Sequence, residues 1–155
     1  MDPYRPLDDD ARALARDLLA GASSGALATL RDGGPMVTRA GCLWLPGKGM
    51  SLLISDLSDH ATALAADPAC SLMVGEPGRR GDPLTHPRIT LVGRAENADK
   101  AALRDRWRAA RPKTKLYYDF EDFRLVRIAV EAAMLNGGFG RAYRLSPADL
   151  DALPE

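Results

Sequence analysis

The feature that most constrains the fold is a pair of turn signals, rich in glycine and proline, between short apolar runs. Residues 31–35 (RDGGP) and 46–49 (PGKG) separate the run 25–30 (GALATL) from the runs 36–45 (MVTRAGCLWL) and 50–55 (MSLLIS). Asp-Gly and Gly-Gly supply the positive φ angles that tight hairpin turns need. The first third of the chain therefore predicts three antiparallel strands in hairpin order.

The same kind of pattern continues toward the C-terminus, with only a few helices between the strands. Further strands are predicted at 69–75, 88–95, 125–131 and 141–145, and helices from Asp8–Asp10 to Gly21, over 61–66, over 99–110 and after Ser146. Leu14 and Leu18 mark the buried side of the first helix, and Leu103 and Trp107 that of the third. Many strands with few helices favour a closed or nearly closed antiparallel barrel. We expect one α+β domain over residues 1–155.

The charge balance narrows the range of partners. Lys plus Arg equals Asp plus Glu at 21 each, so no overall field favours nucleic acid or an anionic membrane. No apolar run approaches the roughly 20 residues of a membrane span, and the N-terminal MDPYRPLDDD lacks the basic and apolar parts of a secretory signal. We expect a cytoplasmic protein, with Cys42 and Cys70 as buried thiols inside apolar runs.

Several familiar catalytic and nucleotide-binding patterns are absent. The sequence contains no P-loop, no GxGxxG, no HExxH and no GxSxG. Its only histidines are His60 and His86, which excludes a multi-histidine metal site. No general acid or base stands out from the sequence.

Three segments could nevertheless hold a ligand. In the first, Arg39 shares a strand face with Val37 and Gly41, and its guanidinium could clamp a phosphate or simply face solvent. In the second, residues 55–60 (SDLSDH) run into a helix start, where free N–H groups bind anions, although Ser58 or Asp59 could equally be an N-cap. In the third, residues 136–141 (NGGFGR), glycines allow close approach to a planar ligand or form a turn.

Taken in order, several segments resemble the pyridoxamine 5′-phosphate oxidase-like FMN-binding split barrels. They are GPMVTRAGCLWL, LLISDLSDHATALAADPACSLMVGE, GDPLTHPRITLVGRAE, LYYDFEDFRLVRI and LNGGFGRAYRLSPADL, which together run from about residue 11 to about residue 150. They are most similar to the branch that includes haem-utilisation flavoproteins. The resemblance implies a six-stranded antiparallel split β-barrel flanked by short helices. It also implies a homodimer with FMN at the interface and a redox reaction on a small substrate.

The resemblance also implies a set of cofactor-binding residues. Arg39 and His60 would hold the FMN phosphate, strand backbone around Val37, Thr38 and Ala40 would hold the ring, and Ser55 and Asp56 would line the flavin. Arg88 begins a strand that passes the ring, and Asn136, Gly137 and Arg141 belong to the glycine-rich segment near the interface.

Two alternatives stay open at this point. The first is a cofactor-free dimeric barrel that acts as a binding module. The second is a haem-binding or haem-utilisation protein with His60 or His86 as axial ligand. Convergence of Arg39 and His60 on one pocket would favour the flavoprotein, whereas either side chain pointing to bulk solvent would favour the cofactor-free module.

Overall fold

The computed structural model describes all residues from Met1 to Glu155. The strands are β1 Tyr4–Arg5, β2 Ser24–Arg31, β3 Gly34–Leu45, β4 Gly49–Ser55, β5 Ala69–Val74, β6 Arg88–Asn97, β7 Phe123–Asn136 and β8 Ala142–Leu145. The helices are α1 Asp9–Gly21, α2 Asp59–Ala66, α3 Lys100–Ala110 and α4 Pro147–Asp151, with 3-10 turns at Pro83–Thr85 and Pro112–Leu116. We call the second of these the Pro112 turn.

Six of the strands close into a barrel, as predicted. Their order is β7-β4-β3-β2-β5-β6, and pairing of β6 with β7 closes the ring. Every pairing within the ring is antiparallel. Strand β8 adds to the far end of β7, and β1 pairs in parallel with β8.

The barrel is split between β3 and β4. Their ladder joins only Gly41–Leu45 to Gly49–Leu53, whereas β3 continues back to Gly34 with β2 as its partner. Continuing the β3–β4 register by two residues would place Arg39 across from Ser55. Because hydrogen bonding between these strands stops at Gly41, one backbone edge of β3 is unpaired from residue 40 onward toward its N-terminus.

Apolar side chains pack on both faces of the sheet. The larger cluster fills the barrel and includes Leu27, Leu52 and Leu72, with α1 packed against it. A smaller cluster lies outside the barrel, where Trp107 of α3 and Tyr118 cover the outward side chains of β3, β4 and β7. This second cluster fixes α3 and the Pro112 turn on the outside of the barrel.

Some element boundaries and core positions differ from the sequence-based predictions. Strand β7 runs through Asn136 instead of ending at 131, because its last residues pair with β6 on one side and β8 on the other. Leu14 and Leu18 are half-buried, while Ala11, Ala15 and Leu19 are the fully buried residues of α1. The short strand β1 was not predicted.

The two cysteines are buried and free, as predicted. Burial raises the pKa of each thiol to about 11, so both are protonated near neutral pH. No helix is long and apolar enough to cross a membrane.

Candidate functional site

A cleft of about 640 Å³ opens on the outside of the barrel, between the split end of the sheet and the Pro112 turn. Its lining residues come from β3, β4, the C-terminal end of α3 and the segment that follows. They are Ser23, Gly41, Leu53, Trp107, Ala110, Arg111, Pro112, Lys113, Thr114, Tyr117 and Phe123.

Gly41 opens this cleft because it has no side chain. Leu43, two residues further along the same face of β3, packs under α3. A Cβ built on Gly41 would meet only the carbonyl oxygen of Ser23, at 4.0 Å. The space above Gly41 therefore belongs to the cleft, in agreement with the room that the sequence predicted beside Arg39.

Aromatic side chains form the wall and floor of the cleft. The rings of Tyr117 and Phe123 lie 4.9 Å apart between centroids, tilted by 41°. The indole Nε1–H of Trp107 donates to Ser51 Oγ at 2.9 Å, and Ser51 Oγ donates to the carbonyl oxygen of Leu43 at 3.2 Å. This chain of hydrogen bonds ties α3 to the sheet and fixes the wall in place.

The lining is electropositive. It contains no carboxylate, and its charged side chains are Arg111 and Lys113. The Arg111 guanidinium donates to the carbonyl oxygens of Ala22, Cys42 (3.4 Å) and Ala110 (3.0 Å), so it is committed to holding the turn against the barrel. Lys113 is exposed and makes no hydrogen bond or ion pair.

Arg39 lies on the same outer face as Gly41, two residues away along β3. Its side chain is exposed and has no partner. Across the split, Ser55 Oγ donates to Asp122 Oδ2 at 2.8 Å, and Asp56 pairs with Arg124 at 2.8 Å. Ser55 and Asp56 therefore brace the turn after β4, while Arg39 is free to bind a ligand.

His60 faces the other side of β3. Its Nδ1 shares a hydrogen bond of 2.9 Å with Thr38 Oγ1, and Ala40 also points inward. Burial lowers the pKa of His60, partly opposed by the neighbouring Asp59 carboxylate, so the ring is neutral near pH 7. The helix cap is Ser58, whose Oγ accepts from the Ala61 N–H at 3.3 Å. Within one chain, Arg39 and His60 do not converge on one pocket.

None of the predicted cofactor-binding residues is among the residues that line the cleft, and the remaining four lie together elsewhere. Arg88 is paired with Asn136 across β6 and β7, and its guanidinium donates to the carbonyl oxygens of Leu84 (3.0 Å) and His86 (3.2 Å). Asn136 Oδ1 accepts from the Gly138 N–H at 2.9 Å, and the Gly137 N–H donates to the Arg141 carbonyl at 2.8 Å. In this chain these contacts shape the loops around the first 3-10 turn.

His86 braces the same loop region. Its Nδ1 accepts from the Gly78 N–H at 2.6 Å, and its Nε2–H donates to the Arg80 carbonyl at 2.7 Å. Both ring nitrogens are therefore used, and a free lone pair would require the loop to open.

The sequence predicted the helix over 99–110 but not that α3 and the Pro112 turn form a wall of the cleft. The sequence nevertheless contains an excess of basic residues here. Within residues 100–115 the only acidic residue is Asp105, although the whole chain has no net charge. Their basic residues are Lys100, Arg104, Arg106, Arg108, Arg111, Lys113 and Lys115. Such a local excess of cations is typical of an anion-binding surface.

Comparison with known proteins settles the family. The pyridoxamine 5′-phosphate oxidase family profile matches residues 11–136. The chain belongs to this family. The match covers β2 through β7 and most of α1, which includes the strands that form the split and the wall of the cleft. The resemblance identified from the sequence is thus confirmed.

The chain is similar to three proteins from different organisms. A haem-binding protein from Mycobacterium smegmatis is 31% identical, with a TM-score of 0.83 over 96% of this chain and 62% of that one. Atu2129 from Agrobacterium tumefaciens, of unknown function, is 33% identical, with a TM-score of 0.78 over 97% of this chain and 65% of that one. The non-canonical haem oxygenase HOZ of Arabidopsis thaliana is 35% identical over 95 residues, 59% of this chain and 28% of HOZ. The chain thus spans less than two thirds of each.

Proposed function

We propose that this protein binds haem in the outer cleft. The observation that carries the proposal is the cleft itself, which combines aromatic walls, unpartnered cations at its margin and no carboxylate in its lining. Haem is a planar apolar ring that carries carboxylates, and such a ring stacks on aromatic side chains while cations bind its anionic edge. The 31% identity to a mycobacterial haem-binding protein supports the same ligand class.

Different residues of the cleft would contact the ring and the carboxylates of such a ligand. Gly41 and Leu53 leave a flat apolar surface, and Tyr117 and Phe123 supply ring faces. Arg39 supplies a guanidinium for a carboxylate at the edge of the ring. His86 has both ring nitrogens engaged in its loop, so we propose that binding depends on the ring contacts and the carboxylates and not on His86.

FMN is the second candidate, and the free guanidinium of Arg39 favours it. A phosphate is the anion that an unpaired arginine fork matches best, and Arg39 lies beside the unpaired edge of β3. His60 fits the phosphate less well in one chain, because its ring is neutral and turned toward Thr38. Flavin, when bound, supplies redox chemistry that the side chains of the cleft do not.

The test is a pair of absorbance titrations of the purified protein, one with haem and one with FMN. We expect a saturable Soret band with haem, weakened about tenfold in Arg39→Ala, since a hydrogen bond to a charged group is worth roughly 1.5 kcal/mol or more. Arg106→Ala, an exposed arginine outside the cleft, is the control, and His86→Ala should keep the band.

The other outcomes separate the candidates. Saturable flavin binding without haem binding would replace the proposal with a flavoprotein, the reading that the resemblance first implied. Binding of neither ligand would leave the cofactor-free module.

We also propose that a second copy of the chain covers the outer face next to the cleft. The strand registers place Arg39, Ala26, Met73, Thr90 and Met134 in one outward row, and Val37, Ala28, Ser71, Val92 and Ala132 in the next. Arg39 is the only charged residue in these rows. Because Val37 is 67% and Met73 is 43% exposed, apolar side chains of this face are open to solvent in the single chain. An apolar sheet face continuous with a ligand cleft is typical of an interface.

Met73→Glu tests this interface. A carboxylate buried against a second copy without a partner costs about 3 kcal/mol or more, so we expect self-association to weaken roughly 100-fold. Sedimentation equilibrium should give a dimer mass for the parent and a monomer mass for the variant. Leu84→Glu, which changes an exposed leucine outside the two rows, should remain dimeric. A monomeric parent would refute the interface.

A further inference from the structure

We infer that Lys113 and Tyr117, on and beside the Pro112 turn, form an anion-binding end of the cleft that recognises a carboxylate of the ligand. This inference rests on the proposed function and deepens it, because it adds a second cation to the site. The sequence assigned neither residue a role, although Lys113 lies in the basic stretch 100–115 and Tyr117 lies in the segment LYYDFEDFRLVRI of the family resemblance.

Lys113 is the charged side chain of the lining that has no bonding partner within the protein. The other cation of the lining, Arg111, donates hydrogen bonds to three carbonyl oxygens, whereas Lys113 has no hydrogen bond or ion pair. No carboxylate is bonded to Lys113: Asp119 accepts two bonds from Arg104, at 2.7 and 2.5 Å, and Asp122 accepts from Ser55 Oγ. The Lys113 ammonium group therefore has no ion-pair partner, and no carboxylate lines the cleft.

Tyr117 adds a second donor at the same end. Its ring is half-buried against Phe123, and its hydroxyl has no hydrogen-bond partner. The backbone between the two residues is fixed, because Thr114 Oγ1 donates to the Arg111 carbonyl at 2.6 Å and the Tyr117 N–H donates to the Thr114 carbonyl at 3.0 Å. A rigid turn thus presents an ammonium group and a free hydroxyl to one cleft.

The position of these donors bears on the class of ligand. Arg39 lies on the sheet side of the site, beyond Gly41, and Lys113 lies on the opposite wall. Two cations on opposite sides of the site suit a ligand with two carboxylates, whereas the single phosphate of FMN would have to contact both cations with one group. Haem has two such carboxylates.

The experiment compares Lys113→Met with Lys115→Met. Lys115 belongs to the same turn and is also exposed, but it does not line the cleft. Each variant is titrated with haem and with haem dimethyl ester in the same detergent buffer, because the ester keeps the ring and lacks the negative charges. FMN and riboflavin serve as a second pair that differs only in the phosphate.

We expect Lys113→Met to weaken haem binding about five- to tenfold and Lys115→Met less than twofold. The effect of Lys113→Met should disappear with the dimethyl ester. Tyr117→Phe, which keeps the ring, should weaken haem binding two- to fivefold in the same charge-dependent way. A merely structural role of the turn would weaken both ligands equally.

Three results would overturn the inference. Equal effects of Lys113→Met and Lys115→Met would remove the special role of Lys113, as would an equal loss of haem and ester binding. Failure of the parent to bind either haem or FMN would remove both the site and its anion-binding end. If the parent binds FMN and not haem, the proposed haem function is wrong but the inference about Lys113 can still be tested. Lys113→Met should then weaken binding of FMN and not of riboflavin.

Discussion

Gly41→Leu is expected to abolish haem binding, with affinity lowered roughly 100-fold or more, while the barrel stays folded. A Cβ at this position has only the Ser23 carbonyl oxygen near it, at 4.0 Å, so the larger side chain would extend into the cleft without a backbone clash. There it would contact Leu53 and occupy the surface that the ligand ring needs. Absorbance titration measures the loss, and thermal unfolding checks the fold.

Gly41→Ala is the matched control, since one methyl group leaves most of the cleft open. Its affinity should fall only a fewfold, and its melting temperature should equal that of the parent or exceed it, because glycine is unfavourable inside a strand. Unchanged haem binding in Gly41→Leu would mean that the ligand lies elsewhere on the protein.

Trp107→Ala is expected to lower the free energy of unfolding by about 3–5 kcal/mol, the largest stability effect that we predict. Trp107 is 1% exposed, and it joins the smaller apolar cluster to Ser51 through its indole N–H. The substitution leaves a cavity under α3 and removes the donor that Ser51 accepts from. Urea unfolding followed by circular dichroism measures the change.

Trp107→Phe separates packing from hydrogen bonding. It keeps an aromatic ring in the cluster and loses the indole donor, so we expect a loss of about 1–2 kcal/mol. Equal losses in the alanine and phenylalanine variants would show that the hydrogen bond to Ser51, and not the buried ring, holds α3 on the barrel.

The barrel could be predicted from the sequence because its signals are local. The turns at 31–35 and 46–49 set the hairpins, and Asp99 caps α3 where the sequence predicted that helix to begin. The end of β7 could not be predicted in the same way. Ala132 and Ala133 have low strand propensity, and they extend the strand because neighbouring strands pair with it, which is a tertiary effect.

The candidate site could be predicted only on its strand side. Alternation along β3 placed Arg39 beside Gly41 on one face, and the structure agrees. The opposite wall comes from Arg111, Lys113 and Tyr117, far along the chain. It is held across the cleft from Gly41 by the Trp107–Ser51 hydrogen bond and by the bonds from Arg111 to backbone carbonyl oxygens. Contacts of that range leave no periodic signal, and neither the excess of positive charge over 100–115 nor the segment LYYDFEDFRLVRI of the resemblance placed these residues at the cleft.

The wall of the cleft also has a consequence for how such proteins diversify. Residues 98–122 connect β6 to β7 outside the barrel. The pairing of Asn97 with Val126 brings the two ends of this segment together. Barrel closure depends on β6 and β7 and not on what lies between them. Evolution can therefore replace this segment and alter ligand choice without changing the strand order, provided that the new segment still covers the outward apolar side chains of β3, β4 and β7.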